Sequence, residues 1–402
     1  MKVAIIGGGA AGLCAARKCH EASFHVTLFE ASRSIGGTWV FTSDVNVHSS
    51  MYENLRTNLP KEIMAFNDLK FPPHLPSFLS HTDVLDYLRK YSEPIRQFIK
   101  LGCAVKKVSR DNEQWRIDYL YENLTTYDIF DVVFVCNGHY TKSYIPQISG
   151  SFEGTVIHSH DYRNPTPYKD QKVAVIGAGA SGVDITLQLA DVAEKVYLLS
   201  DKEPLRCILP TNVIQCSTIR HFDADQLYLQ DGSIIRVDSV IFSTGYLYSC
   251  DFLDDLIKPR FNGKMLSPTF LHVSHIRYPT SLFFIGLNTI VIPFTLFEYQ
   301  INFALAMISG NAQVTQQQIS EWENRRLSDL ESSGIDGSMF HRLGDTQWDY
   351  FEQLRLAASS SMSGVSPIVR SIYEDTSKRR RENVMRYKNF NYQIDGDTFT
   401  VC

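Results

Sequence analysis
The chain has no run of about 18 uninterrupted apolar residues, so nothing in it reads as a membrane span. It has no excess of positive charge either. With 39 Lys and Arg against 44 Asp and Glu the net charge is −5, and no nucleic-acid partner is expected. The one basic run, Lys378 to Arg381, is followed by Glu382 and reads as a solvated helix face. Eight cysteines occur, but none form C-x-x-C and none sit at metal-ligand spacing, so no metal site is expected and the thiols suit a reducing compartment. No catalytic triad is apparent. No leader precedes the first apolar strand; the sequence as given reads cytoplasmic, or secreted if a signal was removed ahead of Met1. The 402 residues suffice for two or three domains with a large core.

What the chain does have is one glycine pattern, twice. Val3 to Ile6 is a short β-branched run that reads as a buried strand, and it leads into Gly7, Gly9 and Gly12, a G-x-G-x-x-G motif opening an Ala-rich helix with Ala10 and Ala11. The glycines suit a tight turn, a close backbone approach to a pyrophosphate and close helix–strand packing, with the phosphates held at the helix start. A second strand, His25 to Glu30, ends in an acid placed for a ribose hydroxyl. The pattern returns in the strand Lys172 to Ile176, then Gly177, Gly179 and Gly182 around Ala180 and Ser181, and a strand from Lys195 to Leu199. The spacing from Gly7 to Glu30 equals that from Gly177 to Ser200, so Ser200 stands where the first copy has its acid. With Lys202 and Arg206 just beyond, the second site favours a nicotinamide cofactor carrying a 2′-phosphate; Asp201 works against this. Two dinucleotide units imply a flavin and a nicotinamide, hence a redox enzyme.

Between and after these units the chain reads in order. Gly36-Gly37-Thr38-Trp39 marks a loop where backbone approaches a ligand, with Trp39 able to cover a ring system. Asn58, ahead of Leu59-Pro60, is locally an ordinary turn residue. His81 to Tyr91 has helical spacing with Thr82 or Asp83 as cap, and residues near 103–121 and 128–136 read as strands of a meander. His158 and His160 lack any carboxylate or cysteine at ligand spacing and read as hydrogen-bonded linker histidines. A strand pair falls near Gln226–Arg236. Ser281 to Leu287 returns as an apolar strand, Pro293 to Gly310 as a helix, and the last ~90 residues as amphipathic helices.

Phe152, Gly154, His158, Ser159 and Tyr162 match the string F-x-G-x-x-x-H-(S)-x-x-(Y/F), and they lie between the two glycine motifs. Together with Gly36-Gly-Thr-Trp39, Thr57-Asn-Leu-Pro60, Ser243-Thr-Gly-Tyr246, Phe284-Ile-Gly-Leu287 and His341 to Tyr350, the chain resembles class B flavin-containing monooxygenases over nearly its whole length. It is similar to the shorter, soluble insect branch that includes pyrrolizidine-alkaloid N-oxygenases, and it lacks the hydrophobic C-terminal anchor of vertebrate microsomal members.

The resemblance implies an α/β fold with two Rossmann-like dinucleotide-binding domains, the smaller NADP domain inserted into a discontinuous FAD domain. The boundaries expected are 1–154 and 276–402 for FAD and 155–275 for NADP. The FAD positions it implies are Gly7, Gly9, Ala10, Ala11, Gly12, Glu30, Arg33, Gly37, Thr38, Trp39, Thr57, Asn58, Val105, Gly286 and Gln300. For NADP(H) they are Gly177, Gly179, Ala180, Ser181, Gly182, Asp184, Ser200, Lys202 and Arg206. Asn58 matches the family's active-site residue, and His158 belongs to a coupling linker. The implied reaction uses NADPH and dioxygen through a flavin hydroperoxide to oxygenate a small soft nucleophile, a tertiary amine or a thioether. A Baeyer–Villiger enzyme is a poorer match because its signature ends in Trp where this chain has Tyr162. An NADPH oxidase and a non-catalytic FAD-binding module stay open, as does a homo-oligomeric state.

Overall fold
A computed structural model describes residues 1–253, 256–359 and 362–402. The strand Lys2–Ile6 lies inside a seven-stranded sheet, parallel to His25–Glu30 on one side and Val132–Val135 on the other. Because side chains alternate across a strand, its two faces enter different cores. Val3 and Ile5 pack with the helices Ala10–Glu21 and Pro293–Ser309. Ala4 and Ile6 pack with Val108, Trp115 and Ile117 of the antiparallel meander Ala104–Asp111, Gln114–Tyr121 and Leu124–Phe130. Burial on both faces is why the strand reads as a continuous apolar run.

The second sheet has five parallel strands in the order Val213–Cys216, Lys195–Leu199, Lys172–Ile176, Ser239–Phe242 and Thr155–His158. Here too Val173 and Val175 face the helix Ala180–Ala190, whereas Ala174 and Ile176 face the layer formed by Ile219–Asp223, Gln226–Leu229 and Ile234–Arg236. That layer has three strands, one more than the pair expected. The first sheet is completed by Thr269–Phe270, Ser274–His275 and Tyr278–Phe284, so it is built from both ends of the chain around the second. The return therefore precedes the expected residue 276. Tyr248, Leu253 and Leu266 already lie in the first unit's core.

Two further expectations are corrected. The helix His81–Tyr91 is capped by Ser80, not Thr82 or Asp83; the Ser80 hydroxyl accepts from the Asp83 N–H (3.2 Å) while the Asp83 carboxylate accepts from the Ser80 N–H (3.0 Å). The last residues are not helical. After the helices Gln316–Ser332, Gln347–Ala357 and Pro367–Glu382 the chain ends in a hairpin, Tyr392–Asp395 paired with Thr398–Val401. Gly396-Asp397 forms its two-residue turn, with Gly396 at φ +57°, and Tyr392, Phe399 and Val401 join the core of the second unit.

Candidate active site
The two glycine loops are built alike. Gly7 and Gly177 have φ of +110° and +111°, and each N–H donates to a carbonyl at the C-terminal end of the neighbouring strand, that of Phe29 or Leu199, at 2.8 Å. A Cβ on Gly12 would stand 1.9 Å from the Gly7 carbonyl oxygen, and one on Gly182 would stand 1.8 Å from that of Gly177. Side chains at those positions are excluded, which brings each helix start close to its strand. Gly9 and Gly179 are the helix N-caps, with no side chain bonded across either helix start and no acid in either first turn. Free N–H groups and the positive end of the dipole are what a pyrophosphate needs. Over the first loop lies Gly37, φ +56°, whose added Cβ would come 2.9 Å from the Gly9 Cα, whereas a Cβ on Gly179 would meet nothing within 4 Å. Both cradles fit a dinucleotide.

Around the first cradle, Glu30 accepts from the Gly8 N–H (2.6 Å) and the Ser32 N–H (2.8 Å), fixing the carboxylate at the strand end. The Cys103 N–H donates to the Glu30 carbonyl at 2.9 Å, bringing half-buried Val105 to the same corner. Ala10 and Ala11 are buried in the helix start, and Arg33 is exposed. The Thr38 and Ser50 hydroxyls are 2.8 Å apart, and Trp39 is partly buried against the first core. Thr57 is buried; its N–H and hydroxyl oxygen bond the Leu79 carbonyl and N–H, anchoring the turn that presents exposed Asn58. Gly286, φ +85°, donates its N–H to Gln300 Oε1 at 2.8 Å. Gln300 is fully buried, and its amide nitrogen donates to Asn288 and Tyr350. It therefore holds the Gly286 loop from behind.

Around the second cradle, Ala180 is exposed and Ser181 half-buried at the helix start, and the Ser200 hydroxyl accepts from the Lys202 N–H at 3.0 Å. Lys202 is exposed, and Arg206 makes a solvent-exposed pair with Glu203 at 3.6 Å. Asp184, one turn into the same helix, has protein partners. Its carboxylate accepts from the Tyr52 hydroxyl (2.5 Å), the Gln188 amide (3.3 Å) and the Lys388 ammonium (2.8 Å). A carboxylate at a phosphate would repel it; here it ties the second unit's helix to the first unit and to the chain end. Burial holds Tyr52 well above the usual phenol range, with the Asp184 charge acting the same way, so it remains a donor.

Lys388 and Tyr387 have no motif around them. The Lys388 ammonium also donates to the Arg56 carbonyl (2.9 Å), Arg56 returns a bond to the Lys388 carbonyl (2.5 Å), and the Tyr387 hydroxyl donates to Asn58 Oδ1 at 3.1 Å. Burial lowers the Lys388 pKa while Asp184 opposes the shift. No periodicity or spacing in the sequence points to these two residues, since their partners lie over 200 positions away. In the linker, buried His158 accepts from the His160 N–H at 3.1 Å, and burial lowers its pKa to about 4, so it stays neutral. Gly154 abuts the Asp238 carbonyl, and Tyr162 is buried with its hydroxyl 3.4 Å from Gln188.

Two nucleotide cradles on one chain define the framework of a flavin and nicotinamide oxidoreductase, and all eight cysteines are free thiols. A family model described as flavin-binding monooxygenase-like matches residues 1–205. Flavin-containing monooxygenase FMO GS-OX-like 2 of Arabidopsis thaliana is 35% identical over 389 residues, covering 87% of this chain and 83% of that protein. Among solved structures, S-allyl-L-cysteine S-oxygenase from Allium sativum superposes with a TM-score of 0.91 at 31% identity, over 98% of this chain and 96% of that one. Tmm from a Pelagibacter strain gives 0.86 at 25% identity, over 100% and 96%. The chain belongs to the flavin-containing monooxygenases of class B, NADPH-dependent enzymes with FAD and NADP as cofactors. Among the described residues no helix is long and apolar enough to cross a membrane.

Proposed function
We propose that this enzyme oxygenates a thioether sulfur, with Asn58 beside the reacting centre, and with tertiary amine nitrogen, pyrrolizidine alkaloids included, as the second substrate class. The observation that carries the placement is that residues 52–58 bridge the two units. Tyr52 bonds Asp184 on the second helix, Thr57 is pinned to Leu79, and Asn58 projects from the end of that braced segment. The thioether preference draws on the Allium relative, whose name is that of an S-oxygenase. Bound flavin and nicotinamide supply the electrons and the activation of dioxygen. The chain's own residues bind, orient and shield. Helix-start N–H groups at Gly9 and Gly179 take the two diphosphates, and Glu30 takes the adenosine ribose. Ser200 and Lys202 admit a 2′-phosphate. Asn58 donates a hydrogen bond from Nδ2 to the reacting centre. In this reading the FAD part is 1–154 with the return segment, which rejoins ahead of Thr269, and the NADP part starts at 155.

The test is Asn58→Ala. It should retain FAD and accept electrons from NADPH, yet release hydrogen peroxide in place of oxygenated product. Unchanged product per NADPH would remove Asn58 from the site. Product yields from matched thioether and tertiary-amine substrates then rank the two classes.

A further inference from the structure
We infer that Tyr387 is a positioning residue that fixes which end of the Asn58 amide faces the reacting centre. This rests on the role proposed for Asn58. A primary amide has an acceptor at one end and a donor at the other, and rotation about its terminal torsion is broad and nearly two-fold. Unheld, an exposed Asn58 presents its oxygen about as readily as its nitrogen. The Tyr387 hydroxyl donates to Asn58 Oδ1 at 3.1 Å, which turns Nδ2 the other way, and Nδ2 has no partner among the described residues.

Tyr387 is itself fixed. It is 3% exposed, and its ring meets Phe78 edge-on with centroids 5.4 Å apart. Its N–H donates to the Asn383 carbonyl at 3.1 Å, and the next residue, Lys388, is clamped between Asp184 and Arg56. Burial raises the phenol's pKa, so the proton needed for donation stays in place. The residue comes from the chain's C-terminal segment, brought against residues 56–58 by the tail that ends in the hairpin. It acts through Asn58 and touches no reactant.

The experiment is a double-mutant cycle with Tyr387→Phe and Asn58→Ala in the FAD-loaded protein. Phenylalanine keeps the ring packing against Phe78 and removes only the hydroxyl. Peroxide released per NADPH should rise about two- to tenfold in Tyr387→Phe, the range expected for loss of one oriented hydrogen bond, and the double variant should be no worse than Asn58→Ala. A second reading does not involve turnover. Melting temperature should fall by about 0.5–2 °C in each single variant, with the double variant showing no further drop, because both remove the same bond. Additive effects in both readings, or a Tyr387→Phe enzyme as tightly coupled as the parent, would overturn the inference while leaving Asn58 in place. A fully coupled Asn58→Ala enzyme would overturn both.

Discussion

Lys388→Met should destabilise the protein and loosen its hold on NADP, because it strands a carboxylate that joins two units. The ammonium lies 2.8 Å from Asp184 Oδ1, with side-chain exposures of 13% and 18% for the two partners. At an effective dielectric of about 20, unit charges at that distance attract by about 6 kcal/mol before desolvation is subtracted. Desolvation of both groups removes much of this, and the bonds from Tyr52 and Gln188 still serve Asp184 after Lys388 is gone. A net loss of about 2–3 kcal/mol follows, below the 3–5 typical of a fully buried pair broken on one side. The assay is urea unfolding of the parent, Lys388→Met, Asp184→Asn and the double variant. The cycle should show coupling above about 1 kcal/mol, and the double variant should be more stable than the sum of the singles implies. Isothermal titration with NADP should show weaker binding in Lys388→Met, since Asp184 sits on the helix whose start is proposed to hold the phosphates. A single-variant loss below about 0.5 kcal/mol with no coupling would mean that the pair is a solvated contact and the reasoning fails.

The remaining predictions concern the cradles and pH. Gly182→Ala should prevent stable folding of the second unit, since its Cβ would stand 1.8 Å from the Gly177 carbonyl oxygen. Gly179→Ala should fold with stability within about 0.5 kcal/mol of the parent, because its Cβ meets nothing within 4 Å, yet raise the NADPH KM about tenfold by filling the diphosphate approach. Circular dichroism and initial rates separate the two. Ser200→Glu should reduce the preference for NADPH over NADH by about tenfold or more through repulsion of the 2′-phosphate, and an unchanged kcat/KM ratio would count against the Ser200 corner. Burial holds His139 and His158 at pKa values of about 4 and His341 at about 3, while the unfolded chain protonates near its ordinary value of 6.5. Below that value the unfolded state binds more protons, so stability is full at neutral pH and falls as pH drops from 6.5 towards 4. The slope is up to about 1.4 kcal/mol per pH unit for each histidine. A melting temperature that is flat between pH 7 and 5 would contradict the buried neutral state.

The two dinucleotide units were legible in the sequence because their requirements are local. A strand buried on both faces must be apolar throughout, a tight turn needs positive φ at Gly7 and Gly177, and helix–strand contact excludes any side chain at Gly12 and Gly182. Those constraints act over about 30 consecutive residues, and the motif string from Phe152 to Tyr162 is as compact. The final hairpin carried a local signal too, Gly396-Asp397 between alternating apolar residues, which the amphipathic-helix reading of the tail passed over. Other features had no local signature. Asp184 looked like part of a phosphate cradle by position alone; only packing shows its carboxylate turned to Tyr52 and Lys388. Nothing near Gln300 in sequence shows that its amide is bonded to Gly286, Asn288 and Tyr350. Tyr387 and Lys388 reach Asn58 and Asp184 across more than 200 residues of chain. The sequence by itself determined the two cradles and the family, since backbone geometry and phosphate recognition are written in consecutive residues. The tertiary structure alone decided which polar side chains stay exposed and which brace the fold, because that depends on partners brought together only when the chain end folds back.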